Sequence, residues 1–187
     1  GEDDIATVTI IANQLITAVE LYSAPSKRDS SRLKVGNAYE QMLRAAVAGS
    51  DHQLQFARNF TSFASSAEHN DLIKELLDAK LSGLKVDADL RWTFVIALAE
   101  RGLMDKAALS AELLKDNTLT GSLSHATALA ALPTEQAKSE VWKSITTEEL
   151  STSQREAKIA GFMRALHRPL LASYVDPYFE LLMETWG

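Results

Sequence analysis

Residues 83–116 read GLKVDADLRWTFVIALAERGLMDKAALSAELLKD, and inside them residues 90–99, LRWTFVIALA, are apolar in nearly every direction except at Arg91. A helix that is hydrophobic all round has no face left for water, so it belongs inside an all-helical assembly. The one guanidinium on it keeps its charge, and needs a partner, an exit to solvent or a bound anion. This stretch points to an all-α architecture and makes Arg91 the first candidate functional residue.

Helix punctuation continues on both sides. Asp87 is placed to cap the helix, Asp89 lies in its positive first turn, and Arg101-Gly102 supplies a C-terminal stop. Asp105 opens the next helix. Upstream, the 3.6-residue spacing of Ile5, Val8, Ile11, Leu15, Val19 and Tyr22 predicts a helix over 4–22, stopped by Ala24-Pro25. Ser26 is read as the cap of a second helix running to about residue 48, with Leu33, Tyr39, Met42, Leu43 and Val47 as its apolar face. Gly49 ends it, and Ser50 with Gln53 forms a capping-box pattern for a third helix. That helix carries Leu54, Phe56, Phe60 and Phe63, an aromatic stripe of the kind that fills a core. Asn70 or Asp71 opens a fourth helix, ended near Ser82-Gly83. Further helices are expected at 122–132, 134–145, 153–166, 169–174 and 176–186, the last with Pro177 at a first helical position.

No segment alternates strictly as a strand does. About ten or eleven short helices with short linkers suit an α-solenoid of degenerate, HEAT-like antiparallel helix pairs better than a four-helix bundle. No domain linker interrupts them, so residues 1–187 are read as a single helical domain.

The bulk composition narrows the functions. With 187 residues, 46% hydrophobic and 24% charged, the chain has the make-up of an ordinary globular protein. A formal net charge of -6 argues against a nucleic-acid partner and against a polybasic membrane contact. No run is expected to reach the ~18 apolar residues of a bilayer span. The absence of cysteine removes disulfides, thiolate metal sites and a cysteine nucleophile, and fits a reducing, cytoplasmic setting.

Candidate chemistry is sparse. His52, His69, His125 and His167 form no HExxH pair and have no histidine partner one helical turn away, so each reads as a surface or cap-region residue. Glu148-Glu149 reads as a negatively charged helix N-terminus rather than a catalytic pair, because adjacent helical residues diverge by about 100°. No GxSxG elbow, SxxK pattern or glycine-rich phosphate loop occurs. No catalytic and no metal-binding residue is assigned. Arg91, paired internally or acting as an anion clamp for a peptide carboxylate, and Arg58, beside the Phe56/Phe60 stripe, remain as substrate-contact candidates. Trp92 and Trp142 are expected to fill gaps between helices, and Trp186 to anchor the end of the chain.

Several runs carry a family likeness: 49–58 (GSDHQLQFAR), 83–92 (GLKVDADLRW), 97–102 (ALAERG), 111–116 (AELLKD) and 133–138 (PTEQAK), with 22–25 (YSAP) and 174–186 at the flanks. Together they resemble the C-terminal helical domain of the bacterial aminopeptidase N family of zinc peptidases, in its actinobacterial form, over essentially the whole chain. The resemblance implies a larger monozinc parent enzyme that removes N-terminal residues from peptides. In that family an upstream domain holds the zinc in HExxH with a distal glutamate, and a GxMEN motif grips the substrate amine. None of these motifs occurs here, so no catalytic or zinc-binding residue is carried over. The resemblance also implies an α-solenoid that closes over the active site of its own catalytic domain and gates or positions the peptide. The rival reading is a stand-alone HEAT-like scaffold for a protein partner.

On this reading the chain starts partway into the family's domain, so its first two helices lack neighbours and leave apolar surface uncovered. Self-association through them is expected, measurable as a concentration-dependent mass in light scattering; a monodisperse monomer at high concentration rejects it.

Overall fold

The computed structural model describes residues 4–164, 166 and 168–186, the last two through their backbone. Among them every regular element is helical: ten helices of ten or more residues and one of four. They are α1 (Ile5–Thr17, continued by a π-helical turn Ala18–Tyr22), α2 (Pro25–Ala45), α3 (Asp51–Phe63), α4 (Ala67–Leu77), α5 (Ala88–Glu100) and α6 (Lys106–Lys115). Then come α7 (Leu119–Ala130), α8 (Glu135–Thr147), α9 (Thr152–Phe162), α10 (Arg168–Leu171, continued by a 3-10 turn Ala172–Tyr174) and α11 (Val175–Trp186). The expected all-α class is observed. The role expected of the Trp186 side chain lies outside the described residues.

Side-chain caps set most of the boundaries. Asp4, Ser50, Ser66, Asp87, Asp105, Thr118, Thr134 and Ser151 each accept the backbone N–H three residues on, satisfying a donor that the first turn leaves over. This moves three expected starts upstream: α4 opens at Ser66 and not at Asn70 or Asp71, α7 at Thr118 and not near 122, and α9 at Ser151 and not near 153. In each case an earlier hydroxyl captures the backbone before the apolar pattern becomes regular.

The reciprocal capping box belongs to Ser151 and Gln154. At α3 the Gln53 side chain instead reaches one residue further, accepting from Gly49 N–H at 2.8 Å and donating to Ser82 O at 3.0 Å. Ser26 is not a cap: Pro25 takes the first helical position of α2 behind Ala24, and the helix ends at Ala45. Its buried face is Arg32, Gly36, Tyr39 and Leu43, whereas Leu33, Met42 and Val47 are exposed. Burial of Arg32 against Glu20 of the π-helical turn rotates the helix away from the face that apolarity alone suggested.

α5 is buried over most of its surface. Leu90, Trp92, Phe94, Val95, Ala97, Leu98 and Ala99 are all inaccessible or nearly so, while a strip through Asp89, Thr93 and Ile96 stays partly open. Its end is a Schellman motif: Leu103 N–H bonds to Leu98 O and Gly102 N–H to Ala99 O, both at 2.9 Å. Gly102 sits at φ +70°, a conformation that costs glycine little.

The chain divides into two compact units, Gly1–Ala97 and Leu98–Gly187. In the first, α3 packs against both α1 and α2. Phe60, Phe63, Ile73, Leu76 and Leu43 are fully buried there, and Tyr39 stacks on Phe63 with ring centroids 5.7 Å apart. Leu54 and Phe56 of the expected core stripe are only half-buried. Phe56 lines an apolar groove with α1 and α2, along which Ile11 and Met42 remain exposed. The helical run Ile5–Tyr22, 18 residues with mean hydropathy 1.4, does have the length and composition of a bilayer span, contrary to the sequence expectation. The π-helical turn extends α1 past Thr17 and so creates that length. By composition alone a helix of a protein core passes the same test.

In the second unit α7 packs against α6, α8 and α9. Second neighbours also pack, α7 with α9 here and α1 with α3 in the first unit, which is consistent with stacked helix pairs. The α7–α9 approach depends on Gly161: a Cβ there would lie 2.2 Å from Thr127 O. Thr127 Oγ1 also donates to Ala157 O at 3.0 Å, tying the same two helices together. Trp142, Phe162 and Tyr174 form one aromatic cluster, with centroids 5.2–6.1 Å apart. Trp142 thereby fills the expected gap between helices.

Beside that cluster Lys138 is 0% exposed. Its ammonium donates to Ala130 O at 2.6 Å and Gly161 O at 3.5 Å, near the negative ends of α7 and α9, with the Phe162 ring centroid 5.7 Å away. Burial pushes its pKa down to about 8; Glu100 opposes the shift and Arg164 adds to it. The unfolded chain holds the same proton up to about 10.5. Below pH 8 both states are charged and the folded state bears the full cost of burial. Between 8 and 10.5 the folded state releases its proton first, so this group's contribution to stability rises with pH. Comparing the unsubstituted chain with Lys138→Met, the difference in unfolding free energy should therefore shift in favour of the unsubstituted chain from pH 7.5 to 10. A pH-independent difference in denaturant titrations contradicts it.

Candidate functional site

The two arginines singled out by sequence end on different partners. Arg58, on α3, donates from Nη2 to Asp89 Oδ2 at 2.5 Å and from Nη1 to Thr93 Oγ1 at 3.5 Å. Asp89 and Thr93 stand one helical turn apart on α5, so one α3 guanidinium spans one α5 face. The Asp89 carboxylate is 72% exposed, which makes this a surface ion pair, worth about 1 kcal/mol or less. Arg91 is half-buried and donates from Nη1 to Leu77 O at 3.2 Å, capping a carbonyl at the end of α4. Asp89 therefore has a second role that its position in the first turn of α5 did not reveal.

The histidines are dispersed. His52 is half-buried beside the Phe56 ring. His69 is a cap-region residue, as expected, but is 1% exposed and not at the surface. Its Nδ1 accepts Ser65 N–H at 3.2 Å, so Nε2 carries the proton and donates to Asn37 Oδ1 at 2.8 Å. His167 lies outside the described residues. Among the described residues no three His, Asp or Glu side chains are grouped to hold a metal ion, so the residues present do not fit a zinc site.

The second unit brings together polar groups that the sequence left scattered. α7, α8 and α9, with Lys106 from the start of α6, line a cleft of about 360 Å³. Ala126, Leu129, Ala137 and Val141 give it apolar walls. Glu140, Ser144 and Glu148 follow one another at i, i+4 and i+8 along α8 and mark out its length. At one end Lys106 Nζ pairs with Glu140 Oε2 at 2.8 Å. At the other, Ser144 Oγ donates to Glu148 Oε2 at 2.6 Å, Lys158 donates to Ser144 Oγ, and Lys158 Nζ lies 3.6 Å from the Glu148 carboxylate.

Glu148 closes the C-terminal end of α8; it does not open a helix as its doubled glutamate suggested. A carboxylate is disfavoured at a helix C-terminus. The Ser144 hydroxyl first, and then the charge of Lys158, nevertheless hold its pKa below the usual carboxylate range. Hydrogen bonds from Lys106 and Gln136 do the same for Glu140. His125 also lines the cleft, and burial lowers its pKa, so at neutral pH it is an uncharged imidazole. The Ser144 hydroxyl gives its hydrogen to the Glu148 carboxylate and not to Lys158, so the contact is not that of a serine with a lysine base. The arrangement sets charged groups at two ends of an apolar trough.

The model of the ERAP1-like C-terminal domain matches residues 1–187, the full length of the chain. The chain belongs to this family. It is also 42% identical over 189 residues to the C-terminal part of aminopeptidase N from Streptomyces lividans, covering 100% of this chain and 22% of that protein. The chain spans about a fifth of the length of that relative.

The lowered pKa of His125 has a consequence in acid. The unfolded chain takes up this proton near pH 6.5, the folded chain only below it, so the contribution to stability is lost as pH falls through 6.5. His125→Gln is expected to lose less stability between pH 7 and 5 than the unsubstituted chain, measured by urea denaturation; identical losses reject this.

Proposed function

We propose that this chain is the non-catalytic C-terminal helical domain of a zinc aminopeptidase that removes N-terminal residues from peptides. The observation that carries the proposal is the 42% identity, over the whole chain, to an aminopeptidase N. The catalytic domain of the same polypeptide would hold the zinc, whose chemistry is polarisation of the scissile carbonyl and activation of water. This domain's part is physical: it closes over that site, keeps out bulk water and large substrates, and places the peptide. Arg58 and Arg91 are its proposed peptide-facing cations, offering guanidinium donors to a backbone or terminal carboxylate. A cysteine-free chain suits cytoplasmic work.

The experiment compares the isolated chain with the full-length enzyme. The isolated 187-residue chain should show neither stoichiometric zinc in metal analysis nor turnover of an aminoacyl p-nitroanilide. In the full-length enzyme, Arg58→Ala should raise KM for peptide substrates while leaving that single-residue chromogenic substrate unchanged. Turnover by the isolated chain, or equal effects on both substrates, overturns the proposal.

A further inference from the structure

We propose that the cleft between α7, α8 and α9 is a binding site for a dipeptide with both termini free and apolar side chains. The inference rests on the cleft alone and is independent of the enzyme to which the chain belongs.

The first support is the pattern of charge. The trough is apolar along its walls and carries an ammonium–carboxylate pair at each end, Lys106–Glu140 and Lys158–Glu148. A ligand that complements it is apolar in the middle and oppositely charged at its ends.

The second support is spacing. Along α8 a rise of 1.5 Å per residue puts Glu140 about 6 Å from Ser144 and about 12 Å from Glu148. A fully extended dipeptide is about 7 Å long. With a hydrogen bond of about 2.8 Å at each end it spans about 12 Å, so its ammonium reaches Glu140 while its carboxylate reaches the ammonium of Lys158, which lies beside Glu148. A single amino acid, spanning about 9 Å on the same reckoning, is too short to meet both ends.

The third support is preorganisation. Ser144 is 6% exposed and held by hydrogen bonds on both sides, and the Lys158 side chain is 25% exposed. Lys158 has three N–H donors; one goes to Ser144, and with Glu148 3.6 Å away the ammonium can turn another to a ligand carboxylate. At the other end the Lys106 and Glu140 side chains are 56% and 51% exposed. A pair that open to water contributes little, so Lys106 can swing aside and yield the Glu140 carboxylate to a ligand amine. The neutral imidazole of His125 in the cleft wall adds a polar edge without a competing charge.

The test is a titration of the 187-residue chain, followed by amide and side-chain NMR shifts, with leucyl-leucine and with its N-acetyl, C-amide form. Saturable shifts centred on His125, Leu129 and Ser144 are expected for the free dipeptide. Loss of two charge-assisted contacts should weaken the blocked form about tenfold or more. Glu140→Gln and Lys158→Met should each weaken the free dipeptide and leave the blocked one unchanged, with the helical circular dichroism retained. If Lys158→Met fails to fold, Glu140→Gln and the two-ligand comparison decide. Absent or non-saturating shifts, or equal binding of the two forms, overturn the proposal.

Discussion

The structure depends on one constraint, a helix with little polar surface. α5 buries Leu90, Trp92, Phe94, Val95, Ala97, Leu98 and Ala99 over most of its girth, and only protein can cover such a helix. Two of its charged residues are dealt with locally. The Arg91 guanidinium leans back onto a carbonyl of α4, and Asp89 projects from the first turn, where it meets both the helix dipole and Arg58. The apolar girth of α5 asks for many short neighbouring helices, and the capping residues supply them with ends.

Much of this was readable from the amino acids because caps act over three residues. Asp87, Asp105 and Thr134 were readable as helix starts, and Arg101-Gly102 as a stop, since the chemistry of each is complete within a single turn. Ser66, Thr118 and Ser151 were missed because each precedes the regular apolar spacing of its helix. A hydroxyl acts before periodicity shows. The inward face of α2 was legible only at Tyr39 and Leu43, for a different reason. Arg32 turns inside because Glu20, twelve residues away, receives it, and no local pattern announces a pairing across a turn.

The candidate site was less readable than the fold. Arg58 and Arg91 stood out as isolated charges among apolar residues, yet both find partners from a neighbouring helix. Lys106, His125, Ser144 and Lys158 were unremarkable in their own segments, because a cleft is assembled from four helices whose contacts lie far apart in sequence. One local sign was present: Glu140, Ser144 and Glu148 recur every four residues, a polar stripe on a helix that elsewhere buries Ala137 and Lys138.

Lys138 and Lys158 show how the same ammonium takes on two roles in one unit. Lys138 is sealed off, its donors given to the carbonyl ends of α7 and α9, and burial with little compensating charge lowers its proton affinity. It holds helix ends together and offers nothing to a ligand. Lys158 lies at the wall of a cleft beside a carboxylate and a hydroxyl, keeps a share of solvent, and retains a donor to give. Full burial against carbonyls makes a structural pin; partial burial beside a carboxylate leaves a donor that can face a ligand. That contrast, more than any single distance, separates the core of this unit from the surface on which it can bind.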